Sequence, residues 1–378
     1  LKRVNGGVPF MRELIHQMNI SMKRFKVVPW RRTALRRNFF PVIWAIGGLL
    51  MMALLIPILV VSLHPNPTST SQPPLTEVTV DQASPILTTV TENEEPEIMV
   101  SVYLSENEQI ETLPLEEYVI GVIAAEMPAD FAFDAIKAQA IAARTYIARR
   151  LLNDDKSGVP VQGADVTDTI SHQAYISKEN LEHEWSNQGK ASKLTTIRRA
   201  VQESRNMIMT YDGEPITATF FSTSNGYTEN SEDYWEETIP YLRSVSSPWD
   251  KQIAPHYKET IKISKKQFAK QMGLSADNSL IQILSMTEGH RIKEINIGGV
   301  TFSGRSVREM LGLRSSEFTW EDSGEDIAIT TYGNGHGVGM SQWGANGMAQ
   351  AGYTATQILR HYYTGIDFEE VTKLLSKK

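Results

Sequence analysis

The sequence predicts an α+β fold: a single N-terminal transmembrane helix, a flexible stalk, and then a mixed extracytoplasmic domain with an inserted α/β lobe. Three observations predict it. Residues 39–63, FFPVIWAIGGLLMMALLIPILVVSL, are 25 consecutive uncharged residues, long enough at about 1.5 Å per residue to cross a hydrocarbon core of about 30 Å. Residues 64–97 are rich in Pro, Thr, Ser and Glu and have little periodic apolar pattern, the composition of a linker. From residue 98 onward, short alternating segments are interleaved with segments of helical period.

The apolar run exceeds the ~7–15 residues of a signal-peptide core and no A-x-A-like site follows it, so it reads as uncleaved. Pro41 and Pro57 are tolerable inside a span because neighbouring groups can satisfy the freed carbonyls. Lys23, Arg24, Lys26, Arg31, Arg32, Arg36 and Arg37 precede it, and no Lys or Arg follows until Lys137. The basic side stays in the cytoplasm, giving a single-pass protein in the cell membrane with a cytoplasmic lead at 1–38. The run from Met22, MKRFKVV, is already a complete lead, so translation is expected to start there and residues 1–21 to lie outside the cellular protein. The stalk, 64–97, would span roughly 30–35 Å if flexible.

The net charge of −7 hides an asymmetry. Residues 1–38 hold ten basic and one acidic residue, leaving 27 basic against 43 acidic, about −16, in the rest. That balance disfavours nucleic acid, whose binding requires phosphate neutralisation. With zero cysteines there are no disulfides and no thiolate zinc sites, and stability must come from an ordinary hydrophobic core.

The folded domain is expected at 98–370. IMVSVYLS (98–105) alternates and reads as a first strand. In LPLEEYVIGVIAAEMP, Pro114 opens a helix, Glu116 and Glu117 suit its first turn and Pro128 ends it. DAIKAQAIAARTYIARRLL (134–152) is an Ala-rich helix suited to close packing. The region 160–200 is irregular until TTIRRAVQES, which is helical. ITATFFSTSNGYTEN (216–230) is a strand entering a polar turn. Residues 257–318 mix strands with helical pieces such as SKKQFAKQM and SGRSVREMLG, and read as the inserted lobe. Residues 327–365 give a strand, a glycine-rich turn and helical segments. No internal repeat is evident.

Glu126 is the candidate acid. It follows Val122 and Ile123 on the apolar face of its helix, so its carboxyl should be partly desolvated, and it sits in the last turn, where the dipole disfavours ionisation. Both effects raise a carboxyl pKa toward the range a general acid needs. The alternative is a boundary glutamate that bends its head into water; spacing alone leaves this open. Asp130 and Asp134 are near in sequence, but nothing fixes a second carboxylate at glycosidase separation.

The stretch GNGHGVGMSQWGANG sets His336 among glycines, then Ser341, Gln342 and Trp343. Backbone that can approach a ligand, an aromatic platform and amide donors suit a sugar chain. A phosphate loop is disfavoured because no P-loop Lys follows, whereas a tight turn packing His336 and Trp343 into the core remains open. Ser222 and Ser224 lack a G-x-S-x-G elbow and read as turn hydroxyls. No two histidines form a tight pair on one helix, and His172 reads as structural.

The motifs EEYVIGVIAAEMP, KAQAIAARTYI, FFSTSNGYTEN, FSGRSVREMLGLRS and GHGVGMSQWGANGMAQAGYTATQILRHYYTGI together resemble the sporulation protein D/amidase-enhancer family over roughly 98–370. The resemblance implies a lytic transglycosylase acting on peptidoglycan glycan strands during forespore engulfment, with the family's catalytic glutamate at Glu126. It implies a mother-cell membrane location facing the forespore, a partner cell-wall amidase and other engulfment proteins. It also places Arg144, Ser222, Ser224, His336, Gln342 and Trp343 in the substrate groove. Neither a cofactor nor a metal is expected, since the thiolate sites of some relatives have no counterpart in this cysteine-free chain. An alternative within the same family is a non-catalytic glycan-binding scaffold that stimulates the amidase.

Overall fold

The computed structural model describes residues 97–187, 190–275 and 280–376, all within the compact unit Val90–Lys378. The expected lead at 1–38, span at 39–63 and nearly all of the stalk lie outside these residues. Among the described residues no helix is long and apolar enough to cross a membrane. For the described residues the fold class is corrected accordingly to α+β without a transmembrane element. The physical reason is visible in the longest described helix, whose 21 residues include Asp134, Lys137, Arg144, Arg149 and Arg150. Several of these charges are paired within the domain.

Strands β1 (Met99–Leu104) and β2 (Gln109–Pro114) form an antiparallel hairpin. Helix α1 (Leu115–Glu126) follows directly, with Glu116 and Glu117 in its first turn, where negative charge meets the positive dipole end. It stops where the chain turns extended at Met127, the geometry that Pro128 imposes on the residue before it. Helix α2 (Phe133–Asn153) buries Ala135, Ala138, Ala140, Ala142, Ala143 and Ala148. These small side chains let α1 and four later helices approach it from several sides. Asp154 ends α2 in the left-handed conformation.

Next come β3 (Val166–Thr167), parallel to β1, then α3 (Lys178–Asn187) and α4 (Ala191–Glu203). Strands β4 (Met207–Tyr211) and β5 (Glu214–Pro215) pair antiparallel. The strand expected at the start of 216–230 contracts to β6 (Phe220–Phe221). Short helices α5 (Glu232–Trp235) and α6 (Asp250–Ile253) close this first stretch.

The chain then builds a second hydrophobic core from Ile263, Phe268, Met272, Ile292, Ile295, Ile297, Val307, Leu311, Phe318, Ile327 and Ile329 among others. Its elements are β7 (Lys258–Ser264), α7 (Lys265–Met272), β8 (Ile281–Met286), β9 (Ile292–Ile297), β10 (Val300–Ser303), α8 (Gly304–Leu311), β11 (Phe318–Ser323) and β12 (Asp326–Tyr332). Two sheets result, ordered β10-β9-β8 and β11-β12-β7. The core reaches past 257–318 because β12 pairs with both β7 and β11 and buries Ile327 and Ile329 here.

One short unit occurs twice in this lobe. Each of β7 and β10 ends at a serine whose Oγ caps the following helix, accepting N–H from Gln267 or Ser306. Each helix runs for eight residues and ends at a left-handed glycine, Gly273 or Gly312. Phe268 and Met272 in one, and Val307 and Leu311 in the other, face the core. The segments 264–273 and 303–312 therefore share a strand, serine cap, helix, glycine pattern.

From Gly333 the chain returns to the first core through β13 (Met340–Ser341), parallel to β6, then α9 (Gln342–Gln350), α10 (Ala355–Tyr362), β14 (Asp367–Glu370) and α11 (Val371–Leu375). Strand β14 pairs with β4. A capping box at Thr354 and Gln357 starts α10, satisfying two orphan N–H groups of its first turn. The first core thus draws on both ends of the domain, with Ile358, Leu359, Tyr362 and Tyr363 packed among the α1 and α2 side chains.

Candidate active site

Glu126 is the last residue of α1 and is half-buried. The segment after β3 runs across α1 beside it. Gly121 makes that crossing possible: a Cβ there would lie 2.2 Å from Tyr175 Cε2 and 2.7 Å from Ile176 O, so no other residue fits without displacing the segment. Ile176 N–H donates to Gly121 O at 3.2 Å, Tyr175 stacks on Tyr118, and Ala174 N–H donates to Glu126 Oε1 at 2.8 Å. Burial pushes the Glu126 carboxyl above its ordinary range, and the Ala174 bond opposes that shift without cancelling it. Among the described residues no salt bridge involves Glu126.

The residues packed beside Glu126 come from the far end of the domain. The β6/β13 pair brings the start of α9 beside Ser222, whose carbonyl accepts Trp343 N–H at 3.1 Å. Gln342 Nε2 donates to the Glu126 backbone carbonyl at 3.1 Å, using an acceptor freed at the end of α1. Trp343 meets Phe131 edge to face at 4.6 Å between centroids. Asn346 Oδ1 accepts Ala132 N–H at 2.8 Å, fixing the link between α1 and α2. The structure therefore brings together Glu126, Ser222, Gln342 and Trp343.

Three other residues expected in the groove sit elsewhere. Arg144 is 0% exposed and binds Glu116 through Nε and Nη2, at 3.0 and 2.6 Å, while Nη1 and Nη2 reach Met207 O and Val201 O. Glu116 lies about 15 Å along α1 from Glu126 at ~1.5 Å per residue, so Arg144 is an internal tie between α1, α4 and β4. Ser224 is also 0% exposed; its Oγ donates to Ser247 O at 3.0 Å and its N–H to Asp250 Oδ1 at 2.8 Å.

His336 forms its own cluster. Its Nδ1 accepts Val338 N–H at 3.1 Å, leaving Nε2–H to donate to Phe220 O at 3.1 Å. The rings of Phe221, Tyr234 and Trp235 surround it at 5.5–5.7 Å. Burial, aided by Arg308 and Arg291, lowers its pKa to about 4, so it is a neutral, packed imidazole near pH 7. The tight-turn alternative describes His336 better than a sugar contact does, whereas Trp343 stays at the Glu126 wall.

Beside His336 the two cores are joined. Glu229 and Arg291 pair at 3.1 Å with both side chains 3% exposed, and Thr287 Oγ1 donates to the same carboxylate at 2.8 Å. Glycines at 289 and 337 admit this pair; an added Cβ would meet Glu229 Oε1 at 1.9 Å or the Arg291 guanidinium at 2.5 Å. His172 binds Thr167 Oγ1 through Nδ1 and Ser157 O through Nε2, the structural role read for it. Among the described residues no group of His, Asp and Glu is arranged to hold a metal ion.

Sequence reasoning missed Ala174, which acts through its backbone and carries no side-chain signal. It also missed Asp250, a carboxylate between two unrelated segments. The signal available for the first was Gly121, an isolated glycine inside an apolar helix.

The sequence that builds this α+β core is similar to those of known proteins. Residues 103–211 match the family described as Stage II sporulation protein. The chain is 43% identical over 348 residues to stage II sporulation protein D of Bacillus amyloliquefaciens, covering 89% of this chain and 98% of that one. It is 46% identical over 282 residues to stage II sporulation protein D of Bacillus subtilis (strain 168), covering 74% and 81%. A more distant relative is the amidase enhancer of Bacillus subtilis (strain 168), 27% identical over 65% of this chain and 39% of that protein. The chain belongs to the stage II sporulation protein D family.

Proposed function

We propose that this protein is a peptidoglycan lytic transglycosylase that cuts peptide-stripped glycan strands during forespore engulfment, outside the cytoplasm, with Glu126 as general acid and then base. The observation that carries the reading is the Glu126 carboxyl itself: half-buried, raised above its ordinary range by desolvation, and held by one backbone donor instead of a cation.

A carboxyl in that state keeps its proton closer to neutral pH than an exposed one. Protonated Glu126 gives its proton to the glycosidic oxygen as the bond from that oxygen to the muramic acid C1 breaks. The resulting carboxylate takes the proton of the same sugar's C6 hydroxyl, whose oxygen bonds to C1. The strand ends in a 1,6-anhydro ring, no water is consumed, and Glu126 returns to its acid form. One carboxyl suffices, in contrast to glycosidases that pair two. Trp343 offers an aromatic face to a sugar ring and Ser222 a polar neighbour, with Gln342 locking the wall to Glu126.

The test compares the purified chain with Glu126→Gln on peptide-free glycan, reading anhydro ends by mass spectrometry. The variant should lose about 10²–10⁴-fold in rate, the range of general acid–base catalysis; equal yields would remove Glu126 from the chemistry. The similarity to an amidase enhancer favours a second reading, a glycan-binding scaffold that stimulates a cell-wall amidase. Raised amidase turnover on intact peptidoglycan, with peptide-free glycan left uncut, would select it.

A further inference from the structure

Resting on the catalytic reading above, we infer that Asp250 is a positioning residue, a buried carboxylate that holds the two segments forming the wall beside Glu126 in register with each other. Asp250 opens α6 and is 0% exposed. Its Oδ1 accepts Ser224 N–H at 2.8 Å and a short bond from Ser341 Oγ–H. Its Oδ2 accepts Ser247 Oγ–H at 2.7 Å, and Ser247 Oγ is in turn bonded to Tyr362 OH at 2.7 Å.

The partners on Oδ1 are the anchors of the groove wall. Ser224 ends the turn that carries Ser222. Ser341 is the N-cap of α9, its Oγ accepting Gly344 N–H at 3.2 Å, and the next two residues are Gln342 and Trp343. These segments are more than a hundred residues apart in sequence and meet at one carboxylate. Directly beyond them lie the Trp343 N–H bond to Ser222 O and the Gln342 bond to Glu126 O. The packing leaves no slack: a Cβ on Gly344 would lie 2.1 Å from Tyr362 OH and 2.7 Å from Asp250 Oδ2. The Ser224 N–H can only donate, and the Ser341 and Ser247 hydroxyls are free to do so, so the ionised form satisfies the whole set.

Asp250→Asn keeps the size but replaces one acceptor oxygen with a donor, so part of the set loses its partner. Hydrogen exchange of the full chain should accelerate about tenfold or more at the amides of Ser224, Trp343 and Gly344, the weight of a hydrogen bond to a charged group, while α2 amides keep their wild-type rates. Cleavage of peptide-free glycan should lose about tenfold or more in kcat with KM moving less than about threefold, because the wall is misplaced relative to Glu126 and not removed. Tyr362→Phe deletes only the outer hydroxyl; it should lower the thermal midpoint and leave kcat per folded molecule unchanged.

Wild-type exchange at the three amides in Asp250→Asn, or an equal loss of kcat in Tyr362→Phe, would overturn the assignment. If Asp250→Asn does not fold, Ser341→Ala tests one arm. It should speed exchange at Gly344 and lower kcat, and wild-type values for both would overturn the assignment too. Failure of the transglycosylase reading is separately visible, as absence of anhydro product from the wild-type chain.

Discussion

Two carboxylates drawn out of water, Glu126 at the end of α1 and Glu229 at the join between the cores, show how one protein uses burial for opposite ends. Burial raises both. Glu229 is answered by Arg291 and Thr287, and its backbone N–H binds Gly337 O at 2.8 Å, so its charge is compensated and its geometry locked. Among the described residues Glu126 receives one backbone N–H on one oxygen and no cation. A carboxyl left in that condition can exchange a proton, whereas one fixed to a guanidinium cannot without breaking the fold locally. The comparison separates a residue available for chemistry from one committed to holding the lobe.

The sharpest way to break that comparison is to remove each acid in turn. Glu229→Ala leaves the Arg291 charge buried without its partner and should cost about 3–5 kcal/mol, the usual penalty for breaking a buried pair from one side. Urea unfolding monitored by circular dichroism measures it. Glu126→Gln removes a desolvated carboxyl and should leave the midpoint near wild type or raise it. Equal losses for both variants would mean that Glu126 too is a structural acid.

The next largest effect concerns His336, which occupies the same join as Glu229. Its pKa falls from 6.5 in an unfolded chain to about 4 in the fold, through burial first and the nearby arginines second. Between those values the native state binds fewer protons than the unfolded chain, so stability is complete above about pH 6.5 and is lost as pH falls toward about 4. The shift corresponds to about 3 kcal/mol. Unfolding free energies at pH 7 and pH 4.5 should differ by less in His336→Gln than in the wild type. An unchanged difference would show that the imidazole is not desolvated.

Local structure was the most legible part of the chain. Pro114 and Pro128 bracket α1, the alanines of α2 announce close packing, and the alternation at 98–105 gives β1, because these signals act over a few residues. The lobe was legible as a change of texture, yet its strand 326–332 looked continuous with the motif that follows, since only pairing with β7 and β11 assigns it. The paired segments 264–273 and 303–312 escaped notice because they share cap, apolar spacing and terminal glycine but few identities. At the site, Glu126, Gln342 and Trp343 were readable from composition and position. Arg144, Ser224 and His336 were not, because whether a polar side chain faces a groove or a buried partner depends on segments far away: Glu116, Asp250 and Phe220.

The smallest effect tests the device that distinguishes Glu126 from Glu229 most directly, the single N–H of Ala174. That bond exists because Gly121 lets the 173–176 segment lie against α1. Gly121→Ala places a methyl 2.2 Å from Tyr175 Cε2, and the segment must lift, at a cost of about 1–3 kcal/mol for overpacking. Lifting it withdraws a donor that favours the charged carboxylate, which raises the Glu126 pKa, while water admitted beside the carboxyl acts the other way. Where Glu126 stays as buried as before, its pKa should rise further. The proposed transglycosylase step would begin with the protonated acid, and its rate would fall as pH rises through that pKa. The alkaline limb of the cleavage profile should therefore move to higher pH in Gly121→Ala, although the variant is less stable. A limb that stays in place, or moves to lower pH, would mean that Ala174 does not set the proton affinity of Glu126, and the contrast with the arginine-held Glu229 would lose its chemical meaning.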